Sequence, residues 1–495
     1  MRNLLNLNDP TLLRTDAYID GRWTATDARF AVIDPATGED LADVADCDAA
    51  TTNLAISAAH AAQRGWAARL PLERSTLLRA LGDAMFDNEA DLARIIGLEN
   101  GKPFAEAVGE VRYAAGFLTW FAEEARRTNG SIIPSPFADT AVLAVREAIG
   151  VAAIITPWNF PAAMMTRKIG PAFAVGCTII AKPAEQTPLT ALAIAELSDR
   201  VGFPAGVFNV VTGSAESAPV IGEALTSSRT VRKLSFTGST VIGKLLATQC
   251  AATVKRVTLE LGGNAPLIVF DDADLDAAVA GTIAAKFRNA GQTCVAANRI
   301  LVHHSIADDY TERLCAAVDQ LKIGAFDSDA QIGPLIDDVS VTRVQHLVAD
   351  AVSHGATLVR GGDVTEAGSQ FFAPTILTGA IPTMSCHTDE IFGPVLALTE
   401  FSTTSEAIAI ANNTDAGLAA YIFTRDHARA WNVSRQLEYG IVGVNTGAIS
   451  APEVPFGGVK QSGIGREGSH FGTYDWTELK YIAMAGLHPE QDPTQ

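Results

Sequence analysis

The chain has 495 residues, of which 48% are hydrophobic and 19% charged, and its formal net charge is −19. This length predicts two or three domains, and the composition is typical of a globular protein with a large core, which excludes a disordered chain. The acidic balance, without a basic stripe, excludes a nucleic-acid binder, because such a protein must neutralise phosphates.

The N-terminal sequence and the cysteines predict a cytoplasmic protein with no metal site and no membrane segment. Asn8, Asp9 and Pro10 interrupt the first apolar stretch before it is long enough for a signal peptide. No apolar run approaches the ~18 residues of a membrane span. The six cysteines are scattered singly, without the CxxC pair of a zinc site or the dense framework of a secreted protein.

Two β-rich segments, RTNGSIIPSP and TAVLAVREAIG, predict a ribbon that projects from the body of the protein. Asn129-Gly130 is a turn signal at its start, and the C-terminal segment LKYIAMAGL has the pattern of another such strand. Exposed apolar strands need a partner. We therefore expect a homodimer or a homotetramer, with pairing inside one monomer as the alternative.

Between Gly150 and Phe270, short apolar β-rich runs alternate with helical patterns. The predicted strands are VAAIIT, CTIIAKP, VFNVV, VRKLSF, KRVTLEL and APLIVF, and the predicted helices are AMMTRKIGPAFAVG, PLTALAIAELSDRVG and TVIGKLLATQCA. This alternation predicts βαβ units and a largely parallel sheet covered on both faces. A second α/β domain is predicted after Asp271, with a helix in ADLDAAVAGTIAAKFRNAG and the strand RILVHH.

Cys294 has the most distinctive setting of the six cysteines. It follows the small polar segment NAGQT just beyond a helical pattern, so we expect its thiol on a turn with exposed backbone amides. Amides and helix dipoles can lower the pKa of a thiol, and the thiolate is the strong nucleophile. A lone cysteine is more often an inert core residue, which is our interpretation of the other five.

Two further segments carry groups that a nucleophilic cysteine needs. ITPWNFP places Trp158 and Asn159 at a strand-to-helix turn, where an amide can donate to a developing oxyanion. LELGG places Glu260 at the end of an apolar strand, beside glycines that allow another group to approach closely. Burial there should raise the pKa of the carboxyl group toward the range useful for a general base. Taken separately, a turn asparagine and a strand-end glutamate are ordinary features.

Together these segments resemble the aldehyde dehydrogenase superfamily, most of all its succinate-semialdehyde subgroup. The motifs that carry the resemblance occur in order from IDGRW to the C-terminal region: PWNFP, KPAEQTP, FTGST, LELGGNAP, FRNAGQTC, DEIFGP and PFGGVKQSGIGREG. The resemblance implies an α/β fold with a Rossmann-like dinucleotide-binding domain (1–128 and 148–261), an α/β catalytic domain (262–464) and a β-ribbon oligomerisation element (129–147 and 465–495).

The resemblance also implies the chemistry. Cys294 attacks the aldehyde carbon to give a thiohemiacetal and then a thioester, Asn159 and the Cys294 amide hold the oxyanion, and Glu260 activates the water that releases the acid. The common G-x-G-x-x-G fingerprint is missing, but FTGST opens a helix, and helix-start amides suit a pyrophosphate; an ordinary helix cap at Ser239 is the alternative.

The expected cofactor is NAD, with NADP possible. A carboxylate at Glu185 can accept hydrogen bonds from the ribose hydroxyls and would repel a 2′-phosphate, whereas NADP-preferring bacterial relatives have Ser there. By resemblance, the cofactor contacts are Trp158, Lys182, Pro183, Ala184, Glu185, Gly238, Ser239, Leu261, Glu390 and Phe392.

The implied substrate is succinate semialdehyde, whose far carboxylate would bind Arg167, Arg288 and Ser450, since the arginine fork suits a carboxylate. Salt-bridged or snorkelling arginines are the alternative. Glutarate semialdehyde or a broader set of aliphatic aldehydes are rival substrates, because one methylene changes binding by only ~1–3 kcal/mol. A CoA-acylating enzyme would lack Glu260, a cysteine hydrolase would need a histidine partner, and a non-catalytic NAD-binding scaffold would not need Cys294, Glu260 and Asn159.

Overall fold

The computed structural model describes residues 5–487. Its strands are β1 (Ala17–Ile19), β2 (Arg22–Thr24), β3 (Arg29–Ile33), β4 (Asp40–Ala45), β5 (Ser131–Ile133), β6 (Thr140–Ala148), β7 (Val151–Ile155), β8 (Thr178–Lys182), β9 (Phe208–Val210), β10 (Val231–Thr237), β11 (Arg256–Glu260), β12 (Ala265–Val269), β13 (Ala297–His303), β14 (Thr357–Arg360), β15 (Val364–Thr365), β16 (Gly368–Phe372), β17 (Thr375–Thr378), β18 (Val395–Phe401), β19 (Ala419–Phe423), β20 (Ile441–Val444), β21 (Gly463–Ile464) and β22 (Thr477–Ala485).

The α-helices of the same range are α1 (Ala49–Ala67), α2 (Pro71–Asp87), α3 (Glu89–Asn100), α4 (Phe104–Glu124), α5 (Pro161–Val175), α6 (Pro188–Arg200), α7 (Ala218–Ser227), α8 (Thr240–Ala251), α9 (Leu275–Lys286), α10 (Ala307–Val318), α11 (Asp338–Ser353), α12 (Ser385–Thr388), α13 (Thr404–Asn412) and α14 (His427–Gln436). Among residues 5–487, no helix is long and apolar enough to cross a membrane.

The first sheet has the strand order β2-β1-β9-β8-β7-β10-β11-β21. The five strands from β9 to β11 are parallel, and their order along the chain is 3-2-1-4-5, which is the order of a Rossmann-like sheet. Buried apolar residues form one core on the side of α2 to α6 and another on the side of α1, α7 and α8. The prediction of a Rossmann-like sheet covered on both faces is therefore confirmed.

Local sequence explains where the helices next to this sheet begin and end. Pro161 occupies the first turn of α5, where a missing backbone N–H costs nothing, and Gly176 ends the helix with a left-handed φ of 99°. Ser239 caps α8 by accepting a hydrogen bond from the Ile242 amide at 3.4 Å. Helix α7 and the four N-terminal helices were not predicted from the sequence.

The second sheet has the order β14-β17-β18-β13-β12-β19-β20. Neighbouring strands are parallel except for β14 and β17, which pair antiparallel. It too has buried apolar clusters on both faces, so the predicted second α/β unit is confirmed. A third sheet joins β5, β6 and β22 antiparallel, with all nine residues of β22 paired to β6.

We propose that these three sheets mark the domains expected from the sequence, at 1–128 with 148–261, at 262–464, and at 129–147 with 465–495. Residues 1–4 and 488–495 of these ranges lie outside the described residues. One strand crosses the proposed boundaries, because β21 joins the first sheet by pairing with β11 at Leu259 and Glu260.

Candidate active site

The candidate site lies where the strand order of the first sheet reverses, between β7 and β10. Ligands in open α/β sheets bind at this point because neighbouring connections leave in opposite directions and open a crevice. Here the crevice is a cavity of about 410 Å³. Nine of the residues predicted for the site line it: Trp158, Asn159, Gly238, Ser239, Glu260, Leu261, Cys294, Glu390 and Phe392.

Asn159 follows β7 and is held rigidly. Its Nδ2 donates to the Gln292 carbonyl at 3.0 Å, and its own carbonyl accepts from Asn289 Nδ2 at 3.0 Å and from Lys102 Nζ at 2.9 Å. The side chain is 5% exposed. A preorganised amide donor on the wall of a cavity is the arrangement that stabilises a developing oxyanion.

Cys294 lies on a turn three residues before β13, as expected. All six cysteines are within the described range, and Cys294 alone is not buried. The expected lowering of its pKa is wrong, because burial of its sulfur raises the pKa to about 12, and the nearby carboxyl groups of Glu390 and Glu260 act in the same direction while Arg167 opposes them. The thiol is therefore protonated at neutral pH and needs a base.

Glu260 ends β11 and provides a carboxyl group of the required kind. It is 2% exposed, and neither carboxyl oxygen has a hydrogen-bond partner among the described residues. Burial, and then the charge of Glu467, raises its pKa well above the ordinary value, as predicted from the sequence. The adjacent glycines are required, because a Cβ at Gly263 would lie 2.2 Å from the Cys294 carbonyl oxygen.

The start of α8 forms the side of the cavity suited to a dinucleotide. Gly238 and Ser239 line it at the helix N-terminus, where free amides favour an anion. A Cβ at Gly243 would lie 2.4 Å from Leu261, so the glycine lets α8 pack close to the strand that carries Glu260. These features fit a pyrophosphate group above α8.

Glu390 and Phe392 form the opposite wall. Glu390 Oε1 accepts from the Gly263 amide at 3.0 Å, and burial raises its pKa to about 7. Phe392 adopts a left-handed φ of 50° and meets Trp158 edge-on, with ring centroids 5.6 Å apart. Arg343, which the sequence analysis missed, lines the same cavity and donates to the backbone carbonyls of Glu390 and Ile391.

The segment Lys182-Pro183-Ala184-Glu185 lies one strand away from the cavity, after β8. Lys182 is buried beneath the segment, with its Nζ 3.6 Å from Glu185 Oε2. Glu185 is partly exposed and lines a groove of about 490 Å³ with Ser214. The segment thus follows the strand that pairs with β7, the strand that precedes Trp158 and Asn159.

Arg288 and Ser450 line a small second cavity of about 80 Å³. Thr293 and Val295, the two neighbours of Cys294, line it as well, and Tyr421 donates to the Val295 carbonyl at 2.8 Å. The Arg288 guanidinium lies 4.5 Å from the Phe160 ring centroid. A cation and a hydroxyl thus share a cavity with the two chain neighbours of Cys294.

Arg167 is placed differently from Arg288. It is 1% exposed, and its Nε lies 2.6 Å from Glu467 Oε2, while its guanidinium is 4.2 Å from the Phe456 ring centroid. Lys168 pairs with the same carboxylate. Burial disfavours the charged form of Arg167, yet Glu467 outweighs it and raises the pKa. Arg167 is a paired cation close to Glu260 and Cys294.

Several residues of the site were missed by reasoning from the sequence alone. Glu467 lies within the quoted motif GREG, so its position could have been noticed. Lys102, Glu106 and Glu110 recur every four residues in an otherwise apolar segment, which is a signal of one charged helix face. Arg343 had no such signal.

A partly exposed thiol, an amide donor, a buried carboxyl group and a helix start surround one cavity, an arrangement suited to an enzyme that captures its substrate covalently. The aldehyde dehydrogenase family model matches residues 23–482, and the chain belongs to this family, whose members use NAD or NADP. In the described residues, no group of His, Cys, Asp or Glu is arranged to hold a metal ion.

Among curated relatives, the chain is 52% identical to the NADP(+) succinate-semialdehyde dehydrogenase GabD of Escherichia coli, over 97% of this chain and 100% of the relative. It is 50% identical to a 3-sulfolactaldehyde dehydrogenase of Pseudomonas putida and to a glutarate-semialdehyde dehydrogenase of Pseudomonas aeruginosa, each over 98% of this chain and 100% of the relative. The solved structure of succinate-semialdehyde dehydrogenase from Burkholderia pseudomallei has a TM-score of 0.95 at 52% identity, covering 97% of this chain and 100% of that chain.

Proposed function

We propose that the protein oxidises succinate semialdehyde to succinate, with NAD as the preferred cofactor. The observation that carries this proposal is the small cavity behind Cys294, because it offers Arg288 and the Ser450 hydroxyl to an acid group at the far end of an aldehyde. An arginine binds a carboxylate through two parallel hydrogen bonds. Relatives named for succinate semialdehyde at about half identity support the same substrate.

The residues of this chain divide the reaction into two steps. The Cys294 sulfur attacks the aldehyde carbon and passes its proton to a base, while Asn159 Nδ2 and the Cys294 amide stabilise the oxyanion of the thiohemiacetal. A nicotinamide dinucleotide, when bound, would supply the hydride acceptor, and loss of hydride would leave a thioester on Cys294. Glu260 then takes a proton from water, which attacks the thioester and releases the acid and the thiol.

The cavity fits the cofactor side of this scheme. Gly238 and Ser239 at the start of α8 would hold the pyrophosphate, Glu390 would bind the hydroxyls of one ribose, and Lys182 with Glu185 those of the other. Leu261, Trp158 and Phe392 give the same cavity apolar walls.

Steady-state kinetics test the proposal directly. We expect succinate semialdehyde to give the highest kcat/KM among succinate semialdehyde, glutarate semialdehyde, 3-sulfolactaldehyde and butanal, measured at 340 nm with NAD and NADP. Cys294→Ala should abolish turnover with every aldehyde and is the control. A higher kcat/KM for another aldehyde would assign the protein to that substrate.

Glutarate semialdehyde is the second candidate substrate. The P. aeruginosa relative named for it is as similar to this chain as several named for succinate semialdehyde. The two substrates differ by one methylene group, which changes binding by only ~1–3 kcal/mol, so their relative kcat/KM values decide between them.

A further inference from the structure

One face of α4 contacts both loops that carry the catalytic groups. Lys102 lies just before this helix, and Glu106 and Glu110 follow at intervals of four residues, a spacing that places side chains on one helix face. The Lys102 ammonium and the Glu110 carboxylate pair, both fully buried. None of the three touches the cavity, so their contacts act through other residues.

The first contact is with the loop of Asn159. Lys102 Nζ donates to the Asn159 carbonyl at 2.9 Å. Glu110 Oε1 accepts from the amides of Ala162 and Ala163 at 2.9 and 3.3 Å, which belong to the first turn of α5. A carboxylate at a helix start is stabilised by the free amides there. The lysine and the glutamate together fix the loop between β7 and α5.

The second contact is with the turn that precedes the nucleophile. Glu106 Oε2 accepts from the Asn289 amide at 2.9 Å. Asn289, Ala290 and Gly291 are all left-handed, with φ of 52°, 54° and 77°. A left-handed alanine is uncommon and persists only where its surroundings hold it. The Gln292 amide closes the turn on the Asn289 carbonyl at 3.0 Å, and Glu106 adds a contact from the neighbouring helix.

This turn sets the distance between the two catalytic groups. Asn159 Nδ2 donates to the Gln292 carbonyl at 3.0 Å, and Gln292 is two residues before Cys294. If the turn relaxed, both the sulfur and the amide donor would move relative to the aldehyde carbon. A shift of about 1 Å in such a site can lower the rate ~100-fold.

We propose that Glu106 is a positioning residue, whose carboxylate oxygen holds the left-handed turn at Asn289 and so keeps Cys294 in line with Asn159. Holding the turn requires an acceptor oxygen that extends as far as the Asn289 amide. It does not require the negative charge of the carboxylate. The inference rests on the roles of Cys294 and Asn159 in the proposed function, but not on the identity of the aldehyde.

Two conservative variants separate reach from charge. Glu106→Gln keeps an acceptor oxygen at the same distance and removes the charge, whereas Glu106→Asp keeps the charge and withdraws the oxygen by one methylene. We expect Glu106→Gln to react within about threefold of the wild type and Glu106→Asp to be slower by about 10- to 100-fold. Glu123→Gln, an exposed position on the same helix that pairs with Arg79, is the matched control and should be unchanged.

The readouts are the single-turnover rate of NADH formation and the rate of Cys294 alkylation by iodoacetamide, each per titrated thiol. Dinucleotide affinity and the melting temperature should stay near the wild-type values in Glu106→Gln and Glu106→Asp, which a general loss of structure would not allow. Each rate is divided by that of the wild type with the same aldehyde, with both succinate semialdehyde and butanal. A wrong substrate would alter the wild-type rates and leave the ratios intact.

Two results would overturn the proposal. If Glu106→Asp reacts at the wild-type rate while Glu106→Gln is slow, the charge is what counts. If both variants react at the wild-type rate, the turn holds Cys294 without Glu106.

Discussion

At the scale of single residues, burial acts in the same direction on the two groups that exchange protons in the site. It raises the pKa of the Cys294 thiol and of the Glu260 carboxyl group, because the charged form of each is disfavoured away from water. The thiolate forms only when a base removes its proton, which makes the reaction depend on pH.

We expect alkylation of Cys294 by iodoacetamide to speed up with pH well beyond the range of an ordinary thiol. Only the thiolate reacts, so a raised pKa means that the reactive fraction increases about tenfold per pH unit until the pH approaches about 12. The rate is measured in the cofactor-free protein, with Cys294→Ala correcting for the five buried cysteines. A plateau near the ordinary thiol pKa of about 8.5 would contradict the expectation.

The two arginines should respond differently to substitution. Arg288→Ala removes a cation from the cavity beside Cys294, so transition-state binding of succinate semialdehyde should weaken by about 2–5 kcal/mol, which lowers its kcat/KM roughly 30- to 5,000-fold, while butanal is little affected. Arg167→Ala leaves the Glu467 carboxylate without its 2.6 Å partner, so both aldehydes should suffer and the melting temperature should fall. Equal losses in Arg288→Ala on both aldehydes would show that this arginine is structural.

At the scale of elements, the connection between β8 and α6 should set the choice of cofactor. Glu185 is partly exposed in this connection, and Lys182 is buried beneath it. We expect NAD to be preferred, because a 2′-phosphate would meet the carboxylate. Glu185→Ser should relax or reverse the ratio of kcat/KM for NAD and NADP, with Glu216→Ser in the same groove as control. An unchanged ratio would show that Glu185 points away from the ribose.

The same elements show how far the sequence could predict the fold and the site. The strands from β7 to β13 followed from apolar runs with clear breaks, and helix α8 was predicted with the bounds that the structure has. Helix α7 was missed, because Pro219 and the serines around it obscure its apolar stripe. The pairing of Arg167 with Glu467 joins residues 300 positions apart, and no local pattern records such a contact.

At the scale of the whole molecule, the third sheet exposes apolar side chains along its edge and face. Leu479 and Tyr481 on β22 are 62% and 61% exposed, and Ile132 on β5 is 84% exposed. Apolar residues in such number on an exposed strand mark an interface between protein chains. This sheet is where we expect the homodimer or homotetramer to form.

We expect Tyr481→Asp to lower the molecular mass measured by light scattering after size exclusion, since a buried charge would oppose association. Lys480→Gln, on the neighbouring position of the same strand, is the control and should keep the mass of the wild type. If the wild type has the mass of a single chain, the strands of this sheet pair only within one monomer.

The pairing of β21 with β11 and of β22 with β6 has a consequence for synthesis on the ribosome. Both partners near the C-terminus join strands that were made hundreds of residues earlier. During translation, the edge of the first sheet at β11 therefore stays unpaired until β21 has been synthesised. Unpaired strand edges promote aggregation. Stop codons that remove β21 and β22 should thus yield insoluble chains, because the edge strands β11 and β6 then lack their partners.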